Sequence, residues 1–494
     1  MRTSYGRIGS KVVLSLFLIS IITIAFSLHG SIPLAIAQID VQPVAAPSLP
    51  TNTSSNQIYL PLVSSPESLL PSINVPFYEA VNYHEAAIFW FGQVRGNENY
   101  ADVRVGYHPD GIYVRLSVID RYLWYDPDPT DETLTQWDAI TLYLDVDGRT
   151  GHALDAETYR FVGQLVWTGV RDRYQAAYQG SSSGWNQVPL TFYTSSGWRG
   201  NAPNDDHQDR GYVLTFHIPF SSLGLSGPPA NGEDWGIALT LHDRDDAGGS
   251  TRADTYWPQE FEPFRSVTWG QLSFGLPTYD PPDVPAVQTV TIRHGLNGAN
   301  VMDGVIGGNT VCGEGLDFWN EWGDHSYPGA RDMNVQNQGN IDDWPCFSKF
   351  YITFPLNSLP KDKTVITATL SLRQSGQSTG FETDPPEALN SLIQVMEVAQ
   401  DWDEDTLTWN NAPPVFENVS QAWAGWISME DWGKPTLWDV SQSVDRAHTS
   451  GRPLRLVFYS ADHYGPNGKY FLSADTSDFY ETSRPALQVV LGNP

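Results

Sequence analysis

Apolar residues recur at every second position on both sides of turn signals through most of this chain, and helical spacing is almost absent. Val103, Val105 and Tyr107 alternate with Asp102, Arg104 and Gly106. Pro109, Asp110 and Gly111 then turn the chain, after which Ile112, Val114, Leu116 and Val118 alternate with Tyr113, Arg115 and Ser117. A period of two places alternate side chains on opposite faces of a strand, so this stretch reads as a hairpin with one buried face. The rhythm returns at Ile140, Leu142 and Leu144, at Tyr212, Leu214, Phe216 and Ile218, and at Ile237, Leu239 and Leu241. Strands divided by Gly, Pro and Asp turns, without crossover helices, stack as antiparallel sandwiches. The pattern predicts an all-β chain.

At 494 residues the chain exceeds what one core organises, which predicts two folded domains. Residues 1–37 read as a signal peptide: Arg2, Arg7 and Lys11 precede an apolar run over 12–28, and Ala35 and Ala37 supply small residues for cleavage. An uncleaved anchor is the competing reading, since the run is long. No later apolar run reaches the ~20 residues that span a bilayer. Residues 38–75, rich in Pro, Ser, Thr and Asn, are expected to be a disordered linker. The first sandwich is placed at 76–275 and the second at 288–494. The segment between, 276–287, carries four prolines and reads as a stiff linker. The expected architecture is two jelly-roll-like antiparallel β-sandwiches in tandem, separable by limited proteolysis.

The net charge of −29 repels phosphate backbones and anionic lipid, which argues against nucleic acid as a partner. Cys312 and Cys346 are the two cysteines, both in the exported part, and a lone pair in an oxidising compartment is expected to form a disulfide. They flank most of a Gly/Asn/Asp-rich stretch over 307–344, and a loop that long is either functional or stapled.

Several segments of the second half occur in the order of a known family. In residues 393–414 a strand-like run leads into a polar loop with Trp402 and Trp409 and breaks at Pro413 and Pro414. Residues 349–360 and 365–372 supply further strands, residues 437–440 a W-x-D-V-like segment, and residues 471–475 and 483–487 a closing pattern. Together these resemble the DNRLRE domain, or family 96 carbohydrate-binding module. The pair Ala474 and Asp475 departs from that family's charged pair. Upstream, residues 99–106, 110–114, 137–148 and 235–246 resemble the strands and acidic turns of family 9 carbohydrate-binding modules, where Thr141 stands in place of a frequent Glu. The two resemblances imply a secreted or cell-surface protein that binds extracellular polysaccharide or cell-wall glycan without catalysis.

Sugar binding needs flat apolar faces for the C–H side of a pyranose and planar polar groups for its hydroxyls. Trp124, Tyr125, Trp185, Trp198 and Trp257 lie in loop-like context and are the candidate ligand-binding residues, whereas Trp90, Trp167 and Trp235 lie in strand-like runs and are expected in the core. On this reading Trp124→Ala and Trp257→Ala weaken binding and leave folding intact. For Trp402 and Trp409 a structural role is favoured. Asp145 and Asp147 at one strand end, and Asp243 and Asp245 at another, offer oxygen ligands to a structural calcium, although solvated turn carboxylates fit these positions as well. No nucleophile elbow, zinc helix or phosphate loop occurs. A polysaccharide lyase or glycoside hydrolase, whose paired carboxylates carry no sequence signature, stays open as an alternative. So does a structural surface protein that binds nothing. A His/Met haem site in the first domain is disfavoured, because that domain holds no methionine.

Overall fold

The strands of the first half build two layers. A computed structural model describes residues 70–148, 153–166, 171–308, 315–338, 346–378, 390–462 and 467–494. The expected signal peptide, nearly all of the expected linker, Trp167 and Cys312 lie outside the described residues. The first half contains β1 (Ser72–Val75), β2 (Ala87–Arg95), β3 (Glu98–His108), β4 (Gly111–Ile119), β5 (Ala139–Asp145), β6 (Thr158–Gln164), β7 (Gln175–Ser181), β8 (Gly184–Gln187), β9 (Tyr193–Arg199), β10 (Gly211–Pro219), β11 (Asp234–His242), β12 (Thr255–Trp257) and β13 (Gly270–Phe274). One sheet runs β2-β3-β4-β10-β9. The other runs β8-β7-β6-β5-β11, with β13 and β12 side by side along the far edge of β11.

The hairpin expected around Pro109 is β3 paired with β4, in register from Tyr100 opposite Ile119 to His108 opposite Gly111. Its inward residues Val103, Val105, Val114 and Leu116 are buried, as are Ile140, Leu142, Leu144, Trp235, Ile237 and Leu239 from the facing sheet. One boundary needs correcting. Residues 72–75, expected in the linker, form β1, which pairs in parallel with β13 and buries Ile73 and Val75.

The second half contains β14 (Ala286–Arg293), β15 (Met302–Ile306), β16 (Asp332–Gln338), β17 (Cys346–Phe354), β18 (Thr364–Gln377), β19 (Ser391–Glu397), β20 (Glu417–Ala424), β21 (Pro435–Asp439), α1 (Ser441–Thr449), β22 (Leu454–Ser460), β23 (Lys469–Leu472) and β24 (Ala486–Gly492). One layer runs β15-β17-β22-β19-β20, and the facing layer β14-β24-β18-β21. The strands expected within 349–360, within 365–372 and at the start of 393–414 are β17, β18 and β19. The short helix α1 was not foreseen: it buries Val444 and Ala447, and Ser441 Oγ accepts from the Ala368 amide at 2.8 Å. A nine-residue helix leaves too few turns for its period to stand out among strands.

Ser65–Pro494 forms one unit, and its largest apolar cluster does not stop at the Pro-rich segment. Ile306, Trp322, Phe347, Tyr351, Met396, Trp409 and Tyr459 of the second half join Phe89, Trp90 and Val103 of the first. The face of β3 opposite its apolar set therefore meets protein rather than water, and Asp102 and Arg104 are buried along with it. Buried charges need partners. The Asp102 carboxylate accepts from the Tyr100 hydroxyl at 2.7 Å, from Tyr459 at 2.9 Å and from Asn337 at 3.0 Å. Arg104 Nε donates to the Ala461 carbonyl at 2.8 Å. Lys349 of β17 donates to the Tyr100 hydroxyl oxygen at 2.8 Å. Its ammonium lies 3.5 Å from the Trp90 ring centre, 4.0 Å from Trp409 and 4.8 Å from Tyr459. Trp409 is thus structural, as expected, and it is a wall of this cage.

Candidate functional site

The β5-β6-β11 sheet has a second face, turned away from its own sandwich core. On β5 the residues between the inward Ile140, Leu142 and Leu144 are Thr141 and Tyr143. Register places Thr141 beside Thr240 and Val162, Tyr143 beside Ala238 and Arg160, and Arg160 beside Tyr178. An aromatic strip crosses this face. The Arg160 guanidinium sits 3.8 Å from the Tyr178 ring centre and 5.6 Å from that of Trp185. Trp185 lies 5.8 Å from Tyr143, Tyr143 lies 4.8 Å from Phe261, and Phe261 lies 5.8 Å from Tyr256. Tyr256 is exposed, and Tyr178, Trp185 and Arg160 are half-buried. A guanidinium stacked on rings keeps its in-plane N–H edge for hydrogen bonding. The buried Nε of Arg160 and the indole N–H of Trp185 make no hydrogen bond within the protein.

A polar chain borders the strip. Thr141 Oγ1 lies 2.8 Å from His242 Nε2, and His242 Nδ1 lies 2.9 Å from Asp254 Oδ1. A carboxylate on Nδ1 holds the proton there, which leaves Nε2 to accept from the Thr141 hydroxyl. The order hydroxyl, imidazole, carboxylate matches that of a nucleophilic triad. Thr141 is only 1% exposed, however, and it stands in mid-strand with neighbouring strands paired on both sides. A hydroxyl so placed has neither access to a carbonyl nor a free amide pair beside it to hold an oxyanion. The chain of bonds fixes the His242 ring.

At one end of the same sandwich three carboxylates from its two sheets converge. Asp120 follows β4, Asp138 precedes β5 and Asp243 follows β11, and one ligating oxygen from each lies within 4.8 Å of the others. All three are buried. Asp138 accepts the Trp124 amide at 2.6 Å and the Arg244 amide at 2.9 Å, and Asp120 accepts the Tyr122 amide at 3.1 Å. Burial, with the neighbouring carboxylates adding to it, pushes the Asp120 and Asp138 acids well above the ordinary range and Asp243 to about 7.

The candidate residues scatter over the first half. Trp185 belongs to the aromatic strip. Tyr125 is half-buried near Tyr174 and exchanges hydrogen bonds with Asn204 at 2.7 and 3.0 Å. Trp124 is 8% exposed, so its ring is buried rather than ligand-facing as expected, and its backbone N–H donates to the Asp138 carboxylate. Trp198 lies on β9, in the opposite sheet, packed at the edge of the core. Trp257 needs the plainest correction. It is 3% exposed, lies opposite Leu239, and its ring centre is 4.2 Å from that of Phe89. Sequence context pointed outward because Pro258 and acidic residues follow it, but β12 alternates, and it is Tyr256 that faces out.

Among the calcium candidates only Asp243 joins the cluster. Asp245 pairs with Arg252, and Asp145 accepts the Asp147 amide at 3.3 Å in a local turn. Arg160, Tyr178 and Tyr256 were missed because single aromatics and arginines on a strand carry no spacing signal. Asp120 and Asp138 were missed because their convergence comes from strand pairing across more than a hundred residues.

Residues 320–481 match the model of carbohydrate-binding module family 96. Similar solved structures include a carbohydrate-binding module of family 9 from Caldicellulosiruptor kristjanssonii, in complex with cellotriose. It shares 16% identity at a TM-score of 0.30 and covers 44% of this chain and 100% of its own. Another is a putative carbohydrate-binding protein from Bacteroides uniformis ATCC 8492, with 12% identity, a TM-score of 0.32, and coverage of 42% and 99% respectively. None of the curated proteins matches the chain.

Proposed function

We propose that this protein, whose residues 320–481 match a carbohydrate-binding family, binds polysaccharide without catalysis and does so on the outer face of the β5-β6-β11 sheet. The strip running from Tyr256 through Tyr143 and Trp185 to Arg160 and Tyr178 carries this reading. It offers the exposed ring of Tyr256 and the half-buried rings of Trp185 and Tyr178 to the C–H side of sugar rings, backed by the buried Tyr143 and Phe261, and the half-buried Arg160 guanidinium to their hydroxyls. The acid-rich chain favours a neutral glycan over an anionic one. No helix among the described residues is long and apolar enough to cross a membrane. Secretion is part of the proposal, resting on the basic, apolar and small-residue order of the first 37 residues.

Trp185→Ala and Arg160→Ala are expected to weaken retention on a panel of immobilised neutral polysaccharides by roughly 10- to 100-fold, about 1–3 kcal/mol. Both side chains are partly exposed, so the melting temperature should hardly move. A panel with no retention of the intact protein, or mutants that bind as well as it does, would remove the reading.

The proposal includes a bond between Cys346, at the start of β17, and Cys312. Closing a loop of this length contributes about 3–4 kcal/mol in the chain-entropy model. Two free thiols in the unreduced, denatured protein would exclude the bond.

A further inference from the structure

We propose that the first half carries a second site for neutral glycan, on the outer face of its β4-β10-β9 sheet, and so holds two polysaccharide chains at once. The inference rests on the glycan reading above and adds a second face to it. The outward positions of this sheet meet two different fates. Arg104 on β3 is buried and bonded to the Ala461 carbonyl of the second half. Tyr113 on β4, His217 on β10 and Tyr193 on β9 form a row at the other end of the face, with His217 opposite both tyrosines. The Tyr113 and His217 rings stack with centres 4.2 Å apart and planes at 6°. Tyr193 follows at 5.5 Å from His217 and 25°. Because β9 is the edge strand, Tyr193 ends the row, and it is 56% exposed. A ring stiffened by a stacked neighbour and more than half open to solvent is a platform for the C–H face of a pyranose.

Beside this platform lies a depression of about 770 Å³, a volume suited to a small ligand. Asp110, His217 and Tyr193 line it, and exposed Thr191, Ser221 and Ser226 bring hydroxyls to it. The Asp110 carboxylate is held in place. One oxygen accepts from the Tyr113 hydroxyl at 3.0 Å, and the other lies 2.5 Å from His108 Nδ1. A carboxylate offers about four lone-pair sites, and the Asp110 side chain is half exposed, so it keeps acceptor capacity for sugar hydroxyls. None of the described residues lining the depression is Lys or Arg, which with Asp110 selects against uronate or sulfated chains.

This row and the aromatic strip lie on the outer faces of the two sheets of one sandwich, and so face opposite ways. A glycan lying on one face leaves the other free for a second chain. Binding of that kind cross-links polysaccharide.

The test uses the full chain with xyloglucan, galactomannan and mixed-linkage β-glucan, each in soluble and in immobilised form. Light scattering reads cross-linking of the soluble polymer, retention reads binding, and calorimetry reads folding, since cross-strand ring pairs also stabilise a sheet. The unmodified protein should raise scattering with any polymer that retains it. Tyr193→Ala should abolish that rise and be retained about 10- to 100-fold more weakly, through lost avidity. Its melting temperature should hardly move, because the ring is largely exposed. Trp185→Ala should also lose cross-linking but keep a residual retention, which adding Tyr193→Ala removes. Should the alanine variant fail to fold, Tyr193→Thr, ringless but suited to a strand, replaces it. Retention without cross-linking, cross-linking that survives the loss of Tyr193, or a double variant retained as well as Trp185→Ala would overturn the second site and leave the strip standing. Retention on none of the three polymers would remove the glycan reading and this inference with it.

Discussion

Lys349→Ala should be among the most damaging single substitutions in this protein, costing about 3–5 kcal/mol of folding free energy. The residue is fully buried, and burial holds its ammonium well below its ordinary pKa. Trp90 and Trp409 flank the charge, and the Tyr100 hydroxyl relays it to the Asp102 carboxylate. Truncation empties that cage and strips Asp102 of its counter-charge. Lys349→Met also removes the counter-charge, but it keeps the length and fills the cage, so it should cost less; in both variants Asp102 retains donors from Tyr100, Tyr459 and Asn337. Guanidinium unfolding of both variants and of Asp102→Asn, arranged as a double-mutant cycle, measures the coupling. Because the cage is built from both halves, the two are expected to unfold in one transition. A loss below about 1 kcal/mol for Lys349→Ala, or two separate transitions in the intact chain, would show that the halves are held by something other than this contact.

The second large effect is expected at Trp257, where the structure reverses the sequence-based expectation. Trp257→Ala should cost about 3–5 kcal/mol, the range for emptying a buried aromatic site. The indole fills the space between Phe89 and the β13 backbone, and Gly270 is what makes room for it. A Cβ at Gly270 would lie 2.6 Å from the Trp257 ring. Gly270→Ala should therefore be destabilising for the same steric reason. Calorimetry of Trp257→Ala beside Tyr256→Ala separates the faces of β12. The first should melt far lower and the second near the unmodified protein. Equal melting of the two would return Trp257 to the surface.

Alternation with a period of two, broken by Gly, Pro and Asp, was enough to identify strands, turns and the inward set of each sheet, because those follow from neighbours in the chain. Residues 103–118 illustrate this: Val103, Val105, Val114 and Leu116 point inward as the pattern requires. Trp235 in the core and a structural Trp409 were legible on the same grounds of strand context and aromatic size. The fate of the other face was not. Asp102, Arg104 and Lys349 look in sequence like ordinary solvent-facing polar positions of half-buried strands, yet each is buried where one half meets the other. The acidic cluster depends likewise on β5 pairing with β11, which brings Asp138 to Asp243 from 105 positions away, and on β4 delivering Asp120 to the same end. Local pattern determines which residues can share a face. Which faces meet, and so which charges lose their water, is decided by contacts between segments far apart in sequence, and no short-range periodicity encodes them.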